Sequence, residues 1–213
     1  NKLSVVNNKL KIISVRLDNM EVCTFEKTFM EILEKINANG ISHIDILVNN
    51  AGVNSKGMPN EIEEEYDKVL DTNLKGVFFL SQMFGKYLVT NKIQGNILNI
   101  ASASSLRPAD SAYTVSKWGL RGLTLGLAKS LAKYGITVNG IAPGPTATPM
   151  MIHEKTDDMK LDRLPLGRYI MSEEISNMAV ILVSNMGKAI MGDIVYMTGG
   201  AGVLTYDDVP YSF

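Results

Sequence analysis

Short apolar segments and longer segments of helical periodicity take turns along this chain, and that alternation restricts its fold more than any other feature. Residues 11–15, with Ile12, Ile13 and Val15, are β-branched and short, as a strand requires. Residues 24–38 place Phe25, Phe29, Ile32, Leu33 and Ile36 on one helical face, with Thr24 as N-cap and Asn39-Gly40 past the end. Residues 44–48 are almost continuously apolar, the pattern of a strand buried on both faces of a parallel sheet. A long helical region, 62–89, is broken near Asp71-Thr72-Asn73. The spacing then predicts a strand at 96–100, a helix at 111–133, a strand at 136–142, an irregular stretch over 143–169, a helix at 172–185 and a strand at 193–197.

Strand and helix in alternation at this spacing predict an α/β fold. The expected architecture is a doubly wound parallel sheet, Rossmann-like and three-layered, in a single domain over residues 1–202, followed by a tail at 203–213. Right-handed crossovers bring all strand carboxyl ends to one edge, where such sheets bind ligands. A length of 213 residues suits one domain. Twenty-one Lys+Arg against 22 Asp+Glu leave no basic excess for a nucleic-acid backbone. The longest strongly apolar run, 178–183, is too short to span a bilayer. The single cysteine, Cys23, rules out an internal disulfide framework and favours a reducing, cytoplasmic setting; a structural thiol is its default reading.

Tyr113 and Lys117 stand four apart on a predicted helix, hence one turn apart on one face. A phenol is a poor acid or base near neutrality, and a fixed ammonium nearby favours its ionised form. Surface pairing is the ordinary reading of such a tyrosine and lysine taken alone. What surrounds them changes the balance. Strand 96–100 runs into Ala101-Ser102-Ala103-Ser104-Ser105, strand 44–48 into Asn49-Asn50-Ala51-Gly52, and strand 136–142 into Pro143-Gly144-Pro145-Thr146-Ala147-Thr148. Each segment by itself is also a good turn. Three consecutive strands ending in small, polar residues point to one binding edge.

In that order and spacing, Asn49-Asn50-Ala51-Gly52, Asn73, Ser102, Tyr113 with Lys117, and Pro143-Gly144 with Thr148 resemble the single-domain short-chain dehydrogenases/reductases over about residues 1–202. The resemblance implies a nicotinamide cofactor, NAD or NADP, and a small-molecule alcohol or carbonyl substrate. It implies Tyr113 as acid/base, Lys117 as its electrostatic partner and holder of the ribose hydroxyls, and Ser102 as the group orienting the substrate oxygen. Asn73 would hold a water that links Lys117 to solvent. Ser104 is the rival of Ser102, because the loop to Tyr113 is on the short side for the family. Cofactor contacts carry over to Asp18 and Asn19 on the adenine side and to Asn50, Ala51 and Gly52 along the adenosine ribose and diphosphate. Pro143, Gly144, Thr146 and Thr148 carry over to the nicotinamide. For Asp18 an ordinary strand-end cap is the competing reading. Met150, Met151 and Ile152 fall where the family places a mobile lid.

The family also implies a homo-oligomer, dimer or tetramer, packed through the helical regions 62–89 and 111–133. Its Gly-rich diphosphate loop has no counterpart in these residues, since Gly199-Gly200-Ala201-Gly202 follows the last strand. By family register the loop, with two strands and a helix, is expected upstream of Asn1. His43 and His153 have no ligand cluster around them, so no metal is expected. A catalytically silent relative serving as a binding or scaffold subunit is the alternative class.

Overall fold

The computed structural model describes residues 11–148 and 159–202. Four parallel strands form one sheet in the order β1 (Ile46–Asn49), β2 (Asn96–Ile100), β3 (Thr137–Pro143), β4 (Ile194–Met197). Helix α1 (Phe25–Ala38) precedes β1. Between β1 and β2 run α2 (Glu63–Leu70), a five-residue π turn (Asp71–Lys75) and α3 (Gly76–Thr90). Helix α4 (Ala112–Leu131) connects β2 to β3, and α5 (Ser172–Val183) lies between β3 and β4.

The period of two along each strand sorts the core into layers. On one face Ile97 and Val138 pack with Phe84 and Leu88 of α3 and Ala128 of α4. On the other, Leu98 and Ile141 pack with Leu182 of α5. This is the expected doubly wound, three-layer arrangement.

Two expectations fail for the same reason, the want of a neighbour among the described residues. Residues 11–15 form no strand, because no described strand offers them a hydrogen-bonding ladder. The predicted strand 44–48 begins two residues late, and it is not buried on both faces. Ile46 and Val48 are 38% and 47% exposed, since α5 covers β2 to β4 but no described element covers that side of β1. A third correction concerns Thr24. It precedes α1 as expected, but its hydroxyl donates to the Glu21 carbonyl (2.8 Å) and caps nothing. Cys23 is exposed, so it is not a packed structural thiol. The expected tail at 203–213 lies outside the described residues.

A buried polar seam fixes the register of the sheet. Asn49 pairs with Asn99 across the β1–β2 ladder. The Asn49 amide donates to Asn99 Oδ1 (2.8 Å) and to Ser81 Oγ (2.9 Å) of α3. Asn99 in turn donates to Thr124 Oγ1 (2.9 Å) of α4, whose hydroxyl donates to the Leu120 carbonyl (2.8 Å). All four side chains are buried, so each lost bond leaves an orphaned polar group. Thr124→Val, which keeps the shape and removes the acceptor, is expected to cost about 1–3 kcal/mol in urea unfolding, whereas Thr124→Ser should cost less than half as much.

Candidate active site

The carboxyl ends of β1, β2 and β3 open onto one edge, and α4 runs beside it. Ser111 caps α4, accepting from the Thr114 N–H (3.2 Å). Tyr113 stands in the first turn. Lys117 stands one turn on, with Nζ 5.5 Å from the Tyr113 ring centroid. Only 5% of Lys117 is exposed, and Nζ donates to the carbonyl of Ile100 (2.9 Å), the last residue of β2. Burial of this ammonium lowers its pKa from 10.5 to about 8. A buried amine with one carbonyl for company is an unusual thing for a fold to retain.

Asn73, 1% exposed, lies in the π turn that breaks the helical region, where a break was expected. Such turns are frequent at functional sites. Its amide donates to the Val53 carbonyl (2.9 Å) and to Ser116 Oγ (3.2 Å), and its Oδ1 accepts from the Val53 N–H (2.8 Å). Ser116 closes the circuit by donating to the Tyr113 carbonyl (2.7 Å). Gly52 completes this corner: a Cβ there would sit 3.5 Å from Asn73 Oδ1 and 3.7 Å from Lys117 Nζ. Gly52, Asn73 and Lys117 therefore meet.

At the end of β2, Ser102 is extended and caps a 3-10 turn (Ala103–Leu106), its Oγ accepting from the Ser104 N–H (3.1 Å). That bond occupies a lone pair and leaves the Ser102 proton to be donated elsewhere. Ser104 joins this turn through its backbone, and both serines are 8% exposed. Past β3, Gly144 is required by close approach, since a Cβ would lie 2.8 Å from the Thr198 carbonyl oxygen and 2.9 Å from its Cα. Thr146 Oγ1 donates back to the Gly144 carbonyl (2.9 Å), and Thr148 follows in the same half-buried turn. Asn50 and Ala51 are exposed along the same edge.

Asp18 behaves first as a turn cap, with Oδ1 accepting from the Met20 N–H (3.0 Å). Its neighbour Asn19 is tied to the site: the side chain donates to the Thr72 carbonyl (3.1 Å), next to Asn73. The Asn19 backbone lies so close to Gly76 that a Cβ there would collide with its carbonyl oxygen. Ser55 and Glu61, which no sequence motif marks, also reach this corner by bonding to the first turn of α4. Met150, Met151, Ile152 and His153 lie outside the described residues. Among the described residues no group of His, Cys, Asp or Glu is placed to hold a metal, and no helix is long and apolar enough to cross a membrane.

A parallel sheet whose carboxyl edge carries these residues defines a class. The family model described as Enoyl-(Acyl carrier protein) reductase matches residues 12–202. The 3-oxoacyl-[acyl-carrier-protein] reductase FabG of Thermotoga maritima is 36% identical over 175 residues, 80% of this chain and 70% of that protein. A candidate 2-deoxy-d-gluconate 3-dehydrogenase from Agrobacterium tumefaciens, solved with bound NADP, superposes with a TM-score of 0.68 at 38% identity, covering 74% of this chain and 67% of that one. A 4-hydroxyisoleucine dehydrogenase complexed with NADH superposes with a TM-score of 0.77 at 26% identity, covering 98% and 86%. The chain belongs to the short-chain dehydrogenase/reductase family and is an oxidoreductase of that family.

Between about pH 8 and 10.5 the unfolded chain holds a proton on Lys117 that the folded protein has released. Stability from this residue therefore rises with pH across that window. Lys117→Met is expected to remove this rise when urea unfolding is followed from pH 8 to 10.5; an unchanged slope would contradict a buried, depressed amine.

Proposed function

We propose that this protein interconverts an alcohol and a carbonyl with NAD or NADP, using Tyr113 as acid/base. The observation that carries the reading is the buried Lys117 ammonium beside the Tyr113 ring, joined to Asn73 around Gly52. The edge fits a flat ligand. Gly52 leaves open the space that a Cβ would fill against Asn73 and Lys117, and Gly144 allows the β3 end to close on Thr198. Gly52 with Asn50 and Ala51, and Pro143, Gly144, Thr146 and Thr148, would hold the cofactor, with Asp18 and Asn19 at its adenine end. When bound, the nicotinamide supplies or accepts the hydride.

The chain's own residues handle the proton and the charge. In reduction, the Tyr113 hydroxyl donates its proton to the substrate oxygen, and in oxidation it takes one from the alcohol. Below about pH 8 Lys117 is an ammonium, which stabilises negative charge on Tyr113 in a site where little water screens it. Ser102 donates to the substrate oxygen, and charge developing there meets a preset dipole. Asn73 anchors the water through which Lys117 exchanges protons with solvent. The relatives with bound NADP and NADH support the cofactor class.

A panel of carbonyl compounds, followed by nicotinamide absorbance, tests this. Tyr113→Phe is expected to lower kcat by roughly 10²–10⁴-fold, and Ser102→Ala to lower it far more than Ser104→Ala. Activity that survives Tyr113→Phe would sink the assignment.

The oxidoreductase unit is assigned to residues 1–202 and the tail to 203–213. The balanced charge and single cysteine support a cytoplasmic protein with no nucleic-acid or membrane partner. Helices α3 and α4 leave Phe78, Phe79, Trp118 and Leu125 exposed, which supports a homo-oligomer, dimer or tetramer, packed through these faces. Phe79→Glu combined with Leu125→Glu is expected to lower the mass seen by sedimentation to that of the monomer; an unchanged mass would place the contact elsewhere.

A further inference from the structure

The first turn of α4 is held from outside the helix. The first N–H groups of a helix have no partner within it. Thr114 gives its N–H to Ser111, the helix's own cap. The other two are taken by distant side chains. The Ala112 N–H donates to the carboxylate of Glu61, 2.9 Å to Oε2 and 3.2 Å to Oε1, and the Tyr113 N–H donates to Ser55 Oγ at 3.3 Å. Both partners come from the loop over residues 53–62 that follows β1.

That loop grips the start of α4 at further points. The Met58 N–H donates to the Asp110 carbonyl (2.8 Å). Gly57, buried and left-handed at φ +81°, lies so close that a Cβ would sit 3.1 Å from Ser111 Cβ and 3.2 Å from the Asp110 carbonyl oxygen. At its other end the loop is clamped to Asn73 through both the N–H and the carbonyl of Val53, immediately after Gly52. One segment thus runs from the Gly52 corner to the backbone of Tyr113. The carboxylate makes the strongest of these contacts, because a charged acceptor roughly doubles a hydrogen bond and a negative group suits a helix N-terminus.

We propose that Glu61, assisted by Ser55, is a positioning residue that holds the first turn of α4 and thereby sets where the Tyr113 hydroxyl meets the substrate oxygen. The proposal rests on the reading of Tyr113 as the acid/base, and it concerns a residue that touches neither substrate nor cofactor. Small misplacement of a reacting group is costly, about 10²-fold for 1 Å. Loss of the carboxylate should therefore appear in kcat rather than in cofactor binding.

Three variants of the whole protein test it: Glu61→Ala, Glu61→Gln, which keeps a carbonyl acceptor, and Ser55→Ala. Glu61→Ala is expected to lower kcat about 10-fold or more while the cofactor KM moves less than about 2-fold. Glu61→Gln should restore most of the rate, and Ser55→Ala should lose less than Glu61→Ala. A second readout needs no turnover. With 3-fluorotyrosine incorporated and the Tyr113 resonance assigned through Tyr113→Phe, Glu61→Ala should shift or broaden that fluorine signal and leave the other tyrosines in place. Glu61→Gln should keep it near its original position. If Glu61→Ala does not fold, the smaller shift expected of Ser55→Ala decides the matter by the same signal. An unmoved Tyr113 signal in Glu61→Ala overturns the proposal, as does a Glu61→Gln variant as impaired as Glu61→Ala. Should the unsubstituted protein reduce no carbonyl, the acid/base reading falls, and the fluorine signal still decides whether Glu61 positions Tyr113.

Discussion

The pairing of Asn49 with Asn99 across the first two strands is the contact on which the arrangement of the edge depends. Both amides are buried, and each can be satisfied only in one register: Asn49 on Asn99 and Ser81, Asn99 on Thr124. A slip of one residue would turn these amides to the opposite face and strand them. With the register held, β1 ends at Asn49, β2 at Ile100 and β3 at Pro143, so Gly52, Ser102 and Gly144 follow along a common edge. Ser81 and Thr124 tie α3 and α4 into the same seam, so the helix carrying Tyr113 and Lys117 is set against the strands by hydrogen bonds as well as by apolar packing.

Lys117 is the second constraint, and it works against stability. An ammonium with 5% exposure and a carbonyl at 2.9 Å has lost most of its hydration. The cost shows as a pKa pulled down to about 8. Gly52 beside it has no side chain, and the side-chain amide of Asn73 is taken up by Val53 and Ser116. The Tyr113 ring lies beside this amine, its centroid 5.5 Å from Nζ.

Much of this was legible in the sequence. The three small-polar segments after residues 48, 100 and 142 announced a shared edge, and the Tyr113–Lys117 spacing announced a shared helical face. The break at Asp71-Thr72-Asn73 became the π turn. What the sequence hid was contact between residues far apart in the chain. Glu61 reads as one more acidic residue near a run of glutamates, yet it bonds Ala112, 51 positions away. The resemblance places Asn19 at the adenine end of the cofactor and says nothing of its backbone, which rests on Gly76. The strand expected at 11–15 shows the limit from the other side. β-branched composition describes a segment suited to a ladder, and the ladder itself requires a neighbour.

Periodicity by itself therefore determined the α/β class, the order of elements, and which segments lie at the strand ends, because those follow from local spacing and the handedness of the chain. The register, the burial of Lys117, the meeting of Gly52 with Asn73, and the hold of the loop at 53–62 on α4 were decided by the tertiary structure alone. Each depends on distances across the chain and on which polar groups are cut off from water, and neither quantity is written in the local sequence.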